Sequence, residues 1–294
     1  MNPLPPPSLE DVCTQALRLP CSLSLMPRLV AVLENPASGA EEIEQIIRLD
    51  SALTAATLRL ANSAFFGAGQ PVETVAQGVV RLGQREVFRL AALALVNRWE
   101  AGVQSDAYGG ETSDFCRHAL CTAVAAELLA EKSGRLDPQT AYTAGLVCEM
   151  GKLAMAHVCK DFFPAIRARQ AQQGGSWLQA ERDVLDYDYA QVGAVLLRAW
   201  RFPEIYVDAA EHGCRPDLAP AASRPLLAHL HAAKDLAASL GPGLGDDGFL
   251  FELDEPFLAE WGFTPEVLEA GLLTLQERCA ARLRDKLTHG SIAF

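Results

Sequence analysis

A chain of 294 residues, half of them hydrophobic and 21% charged, can bury a sizeable core by itself, which excludes bulk disorder and dependence on disulfide staples. Lys and Arg number 25 against 37 Asp and Glu, and the resulting net charge of −12 repels polyanions and argues against nucleic acid as a general partner. The longest apolar run, residues 90–96, falls far short of the ~20 residues of a membrane span, and the opening MNPLPPPSLED has neither a basic nor an apolar signal region, so the expectation is a cytoplasmic protein.

Nearly every segment reads as helix. Residues 9–19 follow Ser8, a natural N-cap, with Glu10 and Asp11 in the first turn where the helix dipole favours acids. Residues 27–34 start on a proline. In 41–49, Ile43, Ile46 and Ile47 share one face at the spacing of a core-facing helix. Residues 53–61 run to Asn62-Ser63, after which Gly67 and Gly69 interrupt the chain. Two further helices, 72–82 and 86–99, flank Gly83. Residues 102–113 carry three glycines and no periodicity, which marks a loop or subdomain boundary.

The next helix, 114–133, is rich in alanine (Ala119, Ala123, Ala125, Ala126, Ala130), which predicts close approach of its neighbours. Residues 140–158 read as one apolar helix, and 162–173, 176–186, 190–200, 203–211 and 225–240 complete the array. GPGLGDDG at 241–248 is a linker, and FLFEL at 249–253 is a weak strand candidate. Val267, Leu268, Leu272, Leu275, Cys279, Leu283 and Leu287 then mark a long amphipathic helix that is expected to pack back on the bundle. The eight cysteines form no CxxC pair and read as reduced thiols, most of them small buried apolar side chains. The predicted architecture is an all-α, multi-helix array.

Phosphate-loop, nucleophile-elbow and HExxH signatures are absent from the sequence. Cys116 and His118 stand two residues apart on a helix, so they do not face each other as nucleophile and base. Polar residues inside otherwise apolar helices are more informative: His118, Glu149, Lys152, His212 and Asp235. On separate helices of a bundle such side chains can converge on a metal. Each also has a plainer reading, as a hydrogen-bonded histidine, a solvated helix face, or Asp235 pairing with Lys234 or His231. Asn62, Phe65 and Phe66 beside the Gly67–Gly69 turn read either as a helix cap with core aromatics or as a partner-docking surface. Arg81, Arg85 and Arg89, at i, i+4 and i+8, form a basic stripe that is either a solvated face or a contact for an acidic partner or a nucleotide phosphate.

The segment AGLVCEMGKLAMAHV resembles the stretch of HD-superfamily phosphohydrolases that reads G-L-L-H-D-I-G-K. The first half narrows the resemblance. LMP at 25–27, EEIEQIIRLDSAL at 41–53, LRLANSAFFG at 58–67 and TVAQGVVRLG at 74–83 are similar to the ordered motifs of the HDOD family, as is QVGAVLLRAWRFPEIYVDAAEHG at 191–213. The resemblance covers roughly residues 10–240 and implies an N-terminal helical half at 1–101, a degenerate HD-like bundle at 114–240 and a helical extension at 249–294.

The same resemblance assigns His118 to the early metal histidine. It places Cys148 and Glu149 at the HD pair, His212 at the first residue of a later His-His element and Asp235 at the late aspartate, with Gly213 replacing the second histidine. Cysteine must ionise to bind a metal well, and glutamate reaches one methylene beyond aspartate, so a hydrolytic two-metal centre is not expected. The expected reading is a non-catalytic output or regulatory module of bacterial signal transduction, without cofactor or metal. It would act by protein–protein contact downstream of a response-regulator receiver or cyclic-di-GMP input. The competing reading is a residual metal-dependent phosphohydrolase that uses His118, Glu149, His212 and Asp235.

Overall fold

The computed structural model describes residues 5–17, 38–63, 70–102, 107–109, 112–241 and 253–288, together with residues 28, 29, 32, 66 and 247. These form fourteen α-helices, and no strand occurs among the described residues. Residues 249–252 of the strand candidate lie outside them, as do all but three residues of the 27–34 helix.

Helix α1 (Leu9–Ala16) opens on a capping box in which Ser8 and Asp11 satisfy each other's backbone N–H groups. It packs on α7 (Met150–Val158) and α10 (Tyr189–Ala199), so this piece of the first half belongs spatially to the second. Helices α2 (Ala40–Ile47) and α3 (Ser51–Ala61) lie on α4 (Val75–Gly102). The predicted face of α2 is buried at Ile43, Ile46 and Ile47. Gly83, at φ 75° and ψ 161°, kinks α4 at the predicted break, in a region of backbone space that L residues avoid.

Beyond the loop, α5 (Thr112–Ser133) is the central helix, packed against α4, α6 (Pro138–Val147), α12 (Arg224–Ser239) and α14 (Pro265–Thr288). Its five alanines are buried, and a β-carbon added at Gly145 of α6 would come within 2.5 Å of the Ala123 Cα, so these two backbones nearly touch. Helices α8 (Phe163–Gln173), α9 (Trp177–Leu185) and α11 (Glu204–His212) complete the bundle. The extension, α13 (Glu255–Glu260) and α14, packs back as expected. His231 fixes its entry, facing the Gly213 carbonyl through Nδ1 at 3.3 Å and accepting from Asp254 N through Nε2 at 2.9 Å. Arg135 Nη1 holds the Trp261 carbonyl at 3.0 Å, and Arg278 pairs with Glu131 at 2.8 Å.

One predicted helix is two. Residues 140–158 divide into α6 and α7, with Cys148 and Glu149 between them and Glu149 at φ −110°, ψ 15°. No glycine or proline marks this break in the sequence. Glu149 stands at the turn, facing helices that 140–158 alone does not include.

Candidate functional site

Of the side chains singled out in the first half, Asn62, Phe66, Arg81 and Arg89 are engaged within the chain. Asn62 closes α3, and its amide exchanges two hydrogen bonds with Val72, giving Nδ2 to the carbonyl at 2.9 Å and accepting the N–H at 2.8 Å. Phe66 is half-buried against the core, and Phe65 lies outside the described residues. Gly83 interrupts the helical period between Arg81 and Arg89. Arg81 instead donates to the Gln70 carbonyl at 2.7 Å and to the Ala61 carbonyl at 3.5 Å. Arg89 is half-buried, paired with Glu86 and Glu127, its guanidinium 4.9 Å from the centre of the Tyr142 ring. The Arg85 side chain lies outside the described residues. Asn62, Arg81 and Arg89 are thus tied to other parts of the chain, while Asn62 stays exposed.

A buried ionic cluster occupies the centre of the second half. Glu149 Oε1 accepts from Lys152 Nζ of α7 and from Lys234 Nζ of α12, both at 2.9 Å. Its other oxygen lies 3.4 Å from His118 Nε2 of α5. Lys152 also reaches Asp247 Oδ2 at 2.6 Å, and its ammonium sits 4.8 Å from the centre of the Tyr189 ring. Lys234 donates to Cys214 Sγ at 3.2 Å, and the Tyr189 hydroxyl lies 2.9 Å from the same sulfur. Two ammonium groups thus meet two carboxylates in a place almost closed to water.

The electrostatics follow from these distances. Burial works against ionisation of Glu149, but the two ammoniums and His118 outweigh it and hold the carboxyl well below the usual carboxylate range. Burial likewise works against both lysines. Asp247 and Glu149 reverse it for Lys152, and the neighbouring sulfurs and Glu149 reverse it for Lys234, so both stay charged well above neutral pH. Cys148 lies beside the cluster without joining it; its thiol donates to the Gly145 carbonyl at 3.6 Å, and burial pushes it up to about 12.

A second buried carboxylate supports the first. Glu181 receives Trp177 Nε1 at 2.8 Å, the Tyr108 hydroxyl at 3.0 Å and the Tyr189 backbone N–H at 2.9 Å. Burial raises it to about 8 despite these donors. The folded chain therefore keeps this proton to higher pH than the unfolded chain. The stability this contributes is complete below about pH 4.5 and is lost as pH rises through about 8. Urea unfolding at pH 5 and pH 8.5 is expected to show the wild type losing on the order of 3 kcal/mol more than Glu181→Gln across that interval.

Of the four metal candidates, only His118 and Glu149 meet. Asp235 turns away: burial first, and then Glu255 of the extension, raise its carboxyl. Its neighbour Lys234 faces the cluster instead, because one residue is about 100° around an α-helix. His212 is half-buried at the end of α11, where its carbonyl accepts Arg215 N at 2.9 Å. Among the described residues, no three His, Cys, Asp or Glu side chains are grouped so that they could hold a metal ion. The metal ions that the resemblance implies do not fit these residues. The lone pairs of Glu149 already serve two ammoniums, which would also repel a divalent cation at hydrogen-bonding distance. Lys234, Tyr189, Cys214 and Asp247 were missed as site residues. The legible signal was Lys234, a charge inside the apolar run HLHAAKDLAASL.

The HDOD domain matches residues 19–216. The chain belongs to the HDOD family. An "Uncharacterized protein" of Treponema pallidum (strain Nichols) is 25% identical over 221 residues, 75% of this chain but only 42% of that protein, so the chain spans less than half of this curated relative. Among solved structures, the "Putative phosphohydrolase" from Shewanella amazonensis SB2B is 25% identical with a TM-score of 0.65, covering 94% of each chain. The "Putative signal transduction protein" from Marinobacter aquaeolei VT8 shares the fold at a TM-score of 0.70 and 21% identity, over 95% of this chain and 60% of that one. In this HDOD chain, no described helix is long and apolar enough to cross a membrane.

Proposed function

We propose that this HDOD chain is a non-catalytic regulatory module of bacterial signal transduction. It acts by protein–protein contact and takes its input from a response-regulator receiver or a cyclic-di-GMP domain. One observation carries the loss of catalysis: the carboxylate at the position of the HD aspartate, Glu149, is held by Lys152 and Lys234, each at 2.9 Å. Fixed ammonium charges neutralise that carboxylate but offer no open coordination position, and they cannot acidify a bound water as a metal does. The ion pairs preserve the packing of the bundle and remove the means of hydrolysis. What remains for function is the surface of a rigid helical body.

The test is turnover. Purified chain, supplied with Mn²⁺ or Mg²⁺ and chromogenic phosphomonoester and phosphodiester substrates, is expected to give no hydrolysis above the buffer rate. Metal-dependent turnover that disappears in His118→Ala would overturn the proposal in favour of the phosphohydrolase named in the Shewanella relative.

A further inference from the structure

Two cysteines far apart in sequence meet across the bundle. Cys121 lies on the central helix α5 and Cys279 on α14, the long helix of the C-terminal extension, and these two helices pack directly on each other. Their thiols are in hydrogen-bonding contact, 1% and 4% exposed. Cys13, Cys148 and Cys159 are buried as well, but they face the Val192 carbonyl, the Gly145 carbonyl and the Tyr187 hydroxyl, which offer no second sulfur.

The pair also differs from these three in its chemistry. Burial pushes Cys13 and Cys159 up to about 11, as it pushes Cys148 up to about 12. Cys121 moves the other way: the hydrogen bond from Cys279 lowers it most, burial opposes, and the Arg117 guanidinium one turn earlier on α5 lowers it further. Cys279, the donor, is raised. The thiolate is the nucleophile, so Cys121 is the member set to react first. The cover over the pair is a single outer helix, with Leu273 and Glu277 of α14 exposed on its far side. Local opening of such an element costs less than unfolding the core, and it admits an oxidant as small as hydrogen peroxide.

We propose that Cys121 and Cys279 form a reversible disulfide that locks the C-terminal extension onto the central helix. The oxidant is a hydroperoxide. With hydrogen peroxide, the Cys121 sulfur attacks one oxygen; an S–O bond forms, the O–O bond breaks, and the departing hydroxide leaves as water with the Cys121 proton. The Cys279 sulfur then attacks the Cys121 sulfur. The S–S bond forms, the S–O bond breaks, and the second hydroxide leaves as water with the Cys279 proton. Two thiols lose two electrons in all, and one peroxide gains them. A dithiol reverses the change: one of its sulfurs attacks the bond and frees one cysteine, then the other displaces the second cysteine and leaves as a cyclic disulfide.

Before oxidation, the only ion pair given between these helices is Arg278 with Glu131, which is exposed and contributes little. The disulfide replaces side-chain packing by a bond of ~2.05 Å and closes residues 121–279 into one covalent loop, which constrains the unfolded chain. Glu149, Lys152 and Lys234 lie inside that loop. The lock stands whether or not the chain signals by contact.

The experiment treats the full chain with hydrogen peroxide, blocks the remaining thiols, and maps cysteine-linked peptides by mass spectrometry without reduction. The Cys121–Cys279 peptide is expected to exceed any other linked pair about tenfold in the folded chain, whereas oxidation in urea spreads the pairing over many cysteines. The thermal midpoint is expected to rise by about 5 °C or more on oxidation and to return with dithiothreitol. Cys279→Ala, shown to be folded by circular dichroism, is expected to abolish both the peptide and the rise. A Cys121–Cys279 peptide no more abundant in the folded than in the unfolded chain overturns the proposal, and so does a linked chain whose midpoint does not rise. Neither comparison needs a variant, so a misfolded substitution does not blunt the test.

Discussion

Glu149→Gln is expected to lower the unfolding free energy by about 3–5 kcal/mol, the cost of leaving buried charges without their partner. The amide keeps the shape of the carboxylate, so the loss is not one of volume. It removes the carboxylate that holds Lys234 at 2.9 Å and leaves Lys152 with Asp247. Urea unfolding followed by circular dichroism measures it. Glu149→Gln combined with Lys234→Met removes one charge of each sign and leaves Lys152 with Asp247. That double variant is expected to lose less than the sum of the two single changes, because the groups are in direct contact. A loss below about 1 kcal/mol for the single variant would mean that water reaches the cluster and screens it.

The second large effect is steric. A β-carbon at Gly151 would stand 1.9 Å from the Tyr189 carbonyl oxygen and 2.6 Å from the Gly193 nitrogen, backbone atoms that cannot swing aside. Gly151→Ala must therefore push α7 away from α10, carrying Lys152 from Tyr189 as it does so. The expected cost is about 3 kcal/mol or more, read as a lower denaturant midpoint with an unchanged slope. Gly193→Ala, on the facing helix, is the control. Its new carbon would meet the Gly151 nitrogen at 3.4 Å and the Ala210 β-carbon at 3.5 Å, which is close to ordinary contact. The helix-propensity gain of roughly 1 kcal/mol offsets that crowding, so a near-neutral result is expected.

Local signals carried the helices: Ser8 capped α1 as its position predicted, the stripe of Ile43, Ile46 and Ile47 went inward, and Gly83 broke α4 at the expected place. Placing Arg81 on one stripe with Arg89 carried a helical period across that same glycine. The division at Cys148-Glu149 was invisible because the residues on both sides are equally apolar, and Glu149 is held by Lys234, distant in sequence on α12, as well as by Lys152 of its own segment. The resemblance brought attention to the right neighbourhood, and two of its assigned residues, His118 and Glu149, do meet.

The other assignments needed three dimensions. Choosing Asp235 over Lys234 rested on a motif that expects an acid, and a one-residue difference on a helix reverses which side chain faces inward. Asp247 is the sharper case. It sits in a glycine-rich linker, where composition predicts only a connection, yet its carboxylate supplies the second counter-charge for Lys152. Nothing in GPGLGDDG encodes that contact locally; it follows from where the bundle delivers the chain after α12.

We propose that two lysine ammoniums take the place of the metal ions that the resemblance to HD-superfamily phosphohydrolases implies. Thermal unfolding in rising Mn²⁺, starting from chelator-treated protein without affinity-tag histidines, tests it most directly. A native-state site with a dissociation constant of about 10 μM would add about 2.7 kcal/mol at 1 mM metal. An unchanged midpoint across that range is expected. A midpoint that climbs with Mn²⁺ and stops climbing in His118→Ala would contradict it.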